Sequence, residues 1–293
     1  MQPTQLDIFA DSRDTMLRND VLRALDDRAD DRIEGALRTL RSEYPHEPLL
    51  AVFDVLANAL LQVQTTPLER HEALAQARQL LGGTVAPAAR QALGADAAVR
   101  WMAPLWRNLA QRGSALGYQS QHADAHAAPL WLAAADWANA ADAVEAIESW
   151  RRIPAPLGWM AQARSRLDGL DATWPLLAEL AWMAPPRFDA TVSLIDQPIL
   201  NKLRRKFDTE FEGEGGQDDL AWFPAWAVVD DNRLAPVLRP AWAGEQQRPE
   251  RTLRAVLGLL TLERQGAHND LVSARKSLRD LHPGLYAQYM QTR

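Results

Sequence analysis

Apolar residues recur at helical spacing along most of this chain. Ile33, Leu37, Leu40 and Tyr44 stand at i, i+4, i+7 and i+11, and Arg38, Arg41 and Glu43 fall on the solvated side between them. After Pro48 the device repeats with Leu49, Phe53, Leu56 and Leu60. Four Ala/Leu/Arg-rich helical segments run directly into a proline: 31–44 before Pro45, 141–153 before Pro154, 169–184 before Pro185, and 269–282 before Pro283. Proline pushes the residue before it out of the helical region, so each of these marks a predicted helix end. Asp11 or Ser12 and Asp30 predict N-caps, and Pro48, Pro67 and Pro249 predict first turns. Gly82-Gly83 and Gly113 predict stops. Connections of a few residues predict that consecutive helices fold back on each other. No segment alternates as a strand does, and 226–229 is only a short β-rich run. The predicted fold class is all-α, an array of antiparallel helix hairpins.

The proline-ended segments then read as the second helices of those hairpins. Ala146, Ile147 and Trp150 ahead of Pro154, and Leu257-Gly258, Gly266, Ala274 and Pro283 near the C-terminus, resemble the small, aromatic and closing-proline positions of the tetratricopeptide repeat family. Pro154 and Pro185 are thirty-one residues apart, slightly under that family's repeat of about 34. The Trp-Leu-Gly-Tyr pattern of the family's first helix is not cleanly present, so the repeats are read as degenerate. The resemblance implies a TPR-like right-handed superhelix with a concave groove for a protein or peptide ligand. The expected organisation is a flexible N-terminal peptide (1–10), a helical-repeat array (11–207), an irregular acidic and Trp/Pro-rich insertion (208–248), and a C-terminal hairpin completing the array (249–293).

Composition narrows the function classes. Net charge is −6, from 32 Lys/Arg against 38 Asp/Glu, so the overall field repels nucleic acid. The one dense basic run, Lys202, Arg204, Arg205 and Lys206, is followed by Asp208, Glu210, Glu212 and Glu214 and reads as a solvated helix end. No direct nucleic-acid contact is expected. The chain has no cysteine, which removes disulfides, thiolate metal sites and cysteine nucleophiles. The N-terminus lacks a basic region followed by an apolar stretch, and the most apolar run, 49–61, is short and carries Asp54 and Asn58. No membrane partner is expected, and the cytoplasm is the expected location.

Few constellations carry chemistry. All eleven tryptophans lie between Trp101 and Trp242. Most read as gap-fillers in an alanine-rich array. Trp222, Phe223 and Trp226 sit instead in a proline-broken segment, where aromatics are expected to line a cleft or a partner contact. His122, Asp124 and His126 have a spacing that could hold zinc on a helix, yet no further ligand accompanies them, and a polar helix start is the preferred reading. The glycine loop 213–216 lacks the lysine of a phosphate loop, and no Gly-x-Ser-x-Gly elbow exists. No metal, no cofactor and no catalytic residue is assigned.

The N-terminus adds one motif. Gln5, Leu6, Asp7, Ile8 and Phe9 resemble the short bacterial sliding-clamp-binding peptide, Gln-Leu-(Ser/Asp)-Leu-Phe, with Ile in place of the second Leu. The resemblance implies that Gln5 hydrogen-bonds at a pocket edge while Leu6, Ile8 and Phe9 fill apolar subsites. The leading expectation is a non-catalytic cytosolic interaction scaffold. The alternatives are a replication or repair accessory protein docked on the sliding clamp through residues 5–9, and an enzyme or small-ligand binder with a pocket near Trp222 and Trp226.

Overall fold

The computed structural model describes the backbone of residues 5–242, 244 and 247–292, with side chains from residue 13 onward and that of His268 excepted. Among the described residues there are helices and turns and no strand, as the apolar periodicity predicts. The chain divides into two units, residues 1–136 and 137–293.

The first unit holds α1 (Gln5–Asp26), α2 (Asp30–Glu43), α3 (Leu50–Leu61), α4 (His71–Leu80), α5 (Ala86–Leu93), α6 (Ala95–Arg112) and α7 (Ala127–Ala133). Its core gathers one stripe from each of several helices. Val21 and Leu25, Ile33, Leu37 and Leu40, Phe53 and Leu56, and Trp101 and Leu105 are all buried together. The Trp101 indole N–H donates to the Leu25 carbonyl (3.0 Å), so a large ring enters the core without stranding its donor. Between α5 and α6 the turn is a single residue, Gly94, whose φ of +81° only glycine adopts cheaply.

One predicted stop is absent. At Gly82-Gly83 the helix continues, as a π-helical turn from Leu81 to Val85 that joins α4 to α5. The Ala86 N–H bonds the Leu81 carbonyl, five residues back. Pro87 follows and has no N–H to offer the Gly83 carbonyl, so the ladder changes register there instead of ending.

The second unit holds α8 (Trp137–Glu145), α9 (Pro154–Leu167), α10 (Leu170–Met183), α11 (Pro185–Ile195), α12 (Pro198–Glu210), α13 (Phe223–Asp230), α14 (Ala235–Leu238), α15 (Arg248–Gln265), α16 (His268–Leu281) and α17 (Pro283–Gln291). Pro154, Pro185 and Pro283 do double duty. They close the preceding segment and open the next helix at its first position, where a missing N–H costs nothing. The segments before Pro45, Pro185 and Pro283 are helical as expected.

The segment before Pro154 is not one helix. α8 ends at Glu145, Ser149 takes a left-handed φ of 56°, and Trp150–Arg152 forms a 3₁₀ turn. Ala146, Ile147 and Trp150 therefore lie outside the helix that the repeat resemblance gave them. The break brings Arg151 onto Glu179, a carboxylate only 1% exposed, through two hydrogen bonds of 2.6 and 2.7 Å. A bidentate ion pair on a buried carboxylate outweighs helix propensities of a few tenths of a kcal/mol per residue.

Neighbouring helices pack in pairs: α8 with α9, α9 with α10, and α15 with α16. α10, however, also packs on α13 and α14, and α13 packs on α15 and α17. In a linear repeat array each unit meets only its sequence neighbours. The second unit is built around α10 and α13 instead.

Candidate functional site

Stretch 208–248, expected to be an irregular insertion, contains that central α13. Phe223 and Trp226 are 0% exposed. Phe223 lies 5.4 Å from the ring of Phe188, 5.5 Å from Phe207 and 6.2 Å from Trp174, and Trp226 meets Phe207 edge-on at 5.4 Å. Offset and edge-to-face rings at these separations are the geometry of a packed aromatic core. Against the expectation of a cleft, neither ring is presented to a ligand or a partner. Trp222 is partly exposed and stands edge-on to His282 at 4.5 Å. Pattern reading missed this because prolines at the starts of short helices, Pro224 and Pro236, look the same in sequence as prolines that break structure.

The glycine loop beside α13 is closed by its own acid. The Asp219 carboxylate accepts the N–H groups of Glu214 (3.1 Å) and Gly215 (2.7 Å), and a Cβ on Gly213 would lie 2.3 Å from it. These two N–H groups are thus taken by the chain's own carboxylate. The basic run on α12 is likewise divided. Arg204 pairs with Asp189 and Asp208, Lys206 pairs with Asp230 and Glu210, and Lys202 and Arg205 face solvent.

His122 and His126 do not share a helix. His122 ends a short 3₁₀ turn and stacks on His71 at 5.9 Å. His126 is buried and N-caps α7, with Nδ1 accepting the Ala128 N–H at 3.2 Å. Burial, with a smaller contribution from His71, pushes its imidazole down to about 4, which keeps the capping nitrogen unprotonated. Among the described residues no group of three or more His, Cys, Asp or Glu could hold a metal ion.

Residues 5–9 lie in the first turns of α1, and the side chains of Gln5, Leu6, Ile8 and Phe9 lie outside the described residues. No described helix is long and apolar enough to cross a membrane.

The first unit carries a groove that sequence reading did not assign. It has a volume of about 490 Å³, within the usual range for ligand sites. Its floor is Val55, Leu81, Val85, Leu105 and Leu109, and its walls are α3, the π-helical turn with α4, and α6. Two side-chain ladders face across it. Asn58 on α3 and Gln62 at its C-cap form one, and Asn108 and Arg112 on α6 the other, each pair four residues apart. The segment after α3 is pinned over the groove's end by Arg112. Its Nε donates to the Thr66 carbonyl (2.9 Å), its Nη2 to Gln64 Oε1 (3.0 Å), and its own carbonyl accepts the Leu68 N–H (2.8 Å). Gly113 allows α4 to approach α6, since a Cβ there would lie 2.8 Å from the Leu74 side chain.

Two apolar side chains remain in solvent at this groove, Leu80 at 58% and Val63 at 45% exposure. Small residues, Ala59, Ala73 and Ala77, keep its walls low. The sequence does hold a signal for it: the amides Asn58 and Gln62 at i,i+4 on an otherwise apolar-rich segment, and a Gly-Gly pair followed by Pro87 inside a continuous helix. No family model, no curated protein and no solved structure matches the chain.

Proposed function

We propose that this chain is a non-catalytic interaction module whose first unit binds an uncharged, extended peptide segment of a partner protein in the groove between α3, α4 and α6. The observation that carries this reading is the pairing of exposed Leu80 and Val63 with amides on two facing walls. A side-chain amide offers both a donor and an acceptor, so Asn58, Gln62 and Asn108 match the alternating N–H and C=O groups of a peptide backbone. The apolar floor takes its side chains, the usual division between affinity and specificity in peptide recognition. The lining contains no carboxylate, imidazole or thiol, which favours binding over proton transfer or nucleophilic chemistry. A π-helical turn inside a longer helix, here forming one wall, is a frequent mark of functional positions.

A random peptide library panned on the full chain tests this. Uncharged sequences with alternating apolar residues should enrich on the wild type and fail to enrich on Leu80→Glu and Asn108→Ala. Equal enrichment on wild type and both variants contradicts the reading.

The clamp-type peptide at residues 5–9 is a separate proposal that rests on sequence. A pull-down with purified bacterial sliding clamp, comparing the wild type with the Leu6→Ala/Phe9→Ala variant, decides it. Equal capture of the two sinks it.

A further inference from the structure

The second unit holds a feature unrelated to that groove. Along α15, Arg254, Leu257, Gly258, Thr261 and Leu262 stand at i, i+3, i+4, i+7 and i+8, on one face of the helix. Arg239, from the turn after α14, lies over them, and together they enclose an open cavity of about 500 Å³.

Both guanidinium groups are held at its edge by neutral acceptors. Arg254 Nη1 donates to the Arg239 carbonyl at 2.8 Å, and Arg239 Nη2 donates to the Thr261 hydroxyl at 3.2 Å. Among the described residues neither guanidinium meets a carboxylate. Some arginines of this unit do pair with acids, such as Arg151 with Glu179 and Arg204 with Asp189 and Asp208, while others, such as Arg205, face solvent. Neither acid on α15 lines the cavity. Glu263 accepts the Tyr289 hydroxyl and faces Arg275, and Glu250, one turn before Arg254, is buried.

Both guanidinium groups lining this cavity carry like charge, and like charges at contact distance repel by about 1 kcal/mol even in water. An oxyanion between them turns that repulsion into two charge-assisted contacts, and the guanidinium fork matches phosphate oxygens in geometry. Two positive charges with no carboxylate partner among the described residues correspond to a phosphate monoester, which carries about −1.5 to −2 near neutral pH. The rest of the cavity is apolar. Leu257 and Leu262 line it, and Gly258 leaves the helix surface open, with nothing within 4 Å of where its Cβ would stand.

We propose that Arg239 and Arg254 form a binding site for a phosphate monoester carrying a short apolar substituent, with Thr261 holding Arg239 in place and Leu257 and Leu262 receiving the substituent. Calorimetric titration of the full chain with hexyl phosphate, inorganic phosphate and hexanoate tests it. Hexyl phosphate should bind saturably at one site, about tenfold more tightly than inorganic phosphate. Arg239→Gln and Arg254→Gln should each weaken it by about tenfold or more while leaving the thermal melt in place. Leu262→Ala should remove the advantage of the hexyl group and leave inorganic phosphate binding unchanged, which separates anion recognition from the apolar subsite. The site is overturned if hexyl phosphate does not saturate, if the double arginine variant binds it as the wild type does, or if hexanoate binds as tightly.

Discussion

The two units gather different features, a closed ring cluster in the second and an amide-edged groove in the first. The second closes Trp174, Phe188, Phe207, Phe223 and Trp226 into one ring cluster, centred on α13. The first leaves Leu80 and Val63 in water beside a groove edged with amides. A leucine gains about 1.5–3 kcal/mol from full burial, so leaving one exposed at a preformed concavity forgoes stability that a partner can supply. Buried rings therefore mark the core of the second unit, while the proposed site lies where amides meet an unburied aliphatic pair.

Substitutions can break that contrast at several strengths. Trp226→Ala should destabilise the second unit by about 3–5 kcal/mol, since it empties a ring-sized volume in a packed core. Urea melts followed by near-UV circular dichroism would show it, and a change below about 1 kcal/mol would mean the ring cluster is loosely packed. Arg151→Met should cost about 3 kcal/mol, because it strands the Glu179 carboxylate inside the protein. The double variant Arg151→Met/Glu179→Leu should recover most of that loss in the same melts. Failure of the double variant to recover would show that the pair acts through the Trp242 N–H, which Glu179 also accepts at 2.8 Å, and not through charge balance.

A third effect is set by pH. Folded His126 takes up a proton only near pH 4, while the unfolded imidazole takes one up near 6.5. Unfolding therefore binds a proton between these values. The stability that neutral His126 confers is complete above pH 6.5 and is lost as pH falls toward 4. His282, which caps α17 by accepting the Leu285 N–H at 3.0 Å, is lowered in the same direction by burial and then by Arg248. His126→Asn keeps an acceptor at the cap without the titration. It should flatten the first unit's share of this slope, measured as melting temperature against pH, and an unchanged slope would remove His126 from the account. The smallest stability effect should come from Leu80→Glu. An exposed groove residue should shift stability by no more than about 0.5 kcal/mol, while peptide binding is lost.

How legible all this was in the sequence depends on what each signal reports. Periodic faces such as Ile33, Leu37 and Leu40 identify a buried stripe directly, and these three are buried in α2. Prolines are ambiguous. Pro154, Pro185 and Pro283 close one segment and open the next, so the same residue type that suggested repeats also hid α13 and α14 in a stretch expected to be irregular. The break between Glu145 and Pro154 depends on Glu179, a partner 28 residues beyond Arg151 that local propensity cannot see. The groove was hidden for a similar reason. In sequence Asn58 is only a polar interruption of an apolar run, and its meaning depends on Asn108, which lies on another helix.

The most direct test is chemical-shift mapping on the full chain, titrated with a peptide selected by panning. The side-chain amide signals of Asn58, Gln62 and Asn108 and the methyl groups of Leu80 and Val63 should move together, while the indole signals of Trp174 and Trp226 stay in place. Shifts centred on the second unit's aromatic cluster, with the groove amides unmoved, would contradict it.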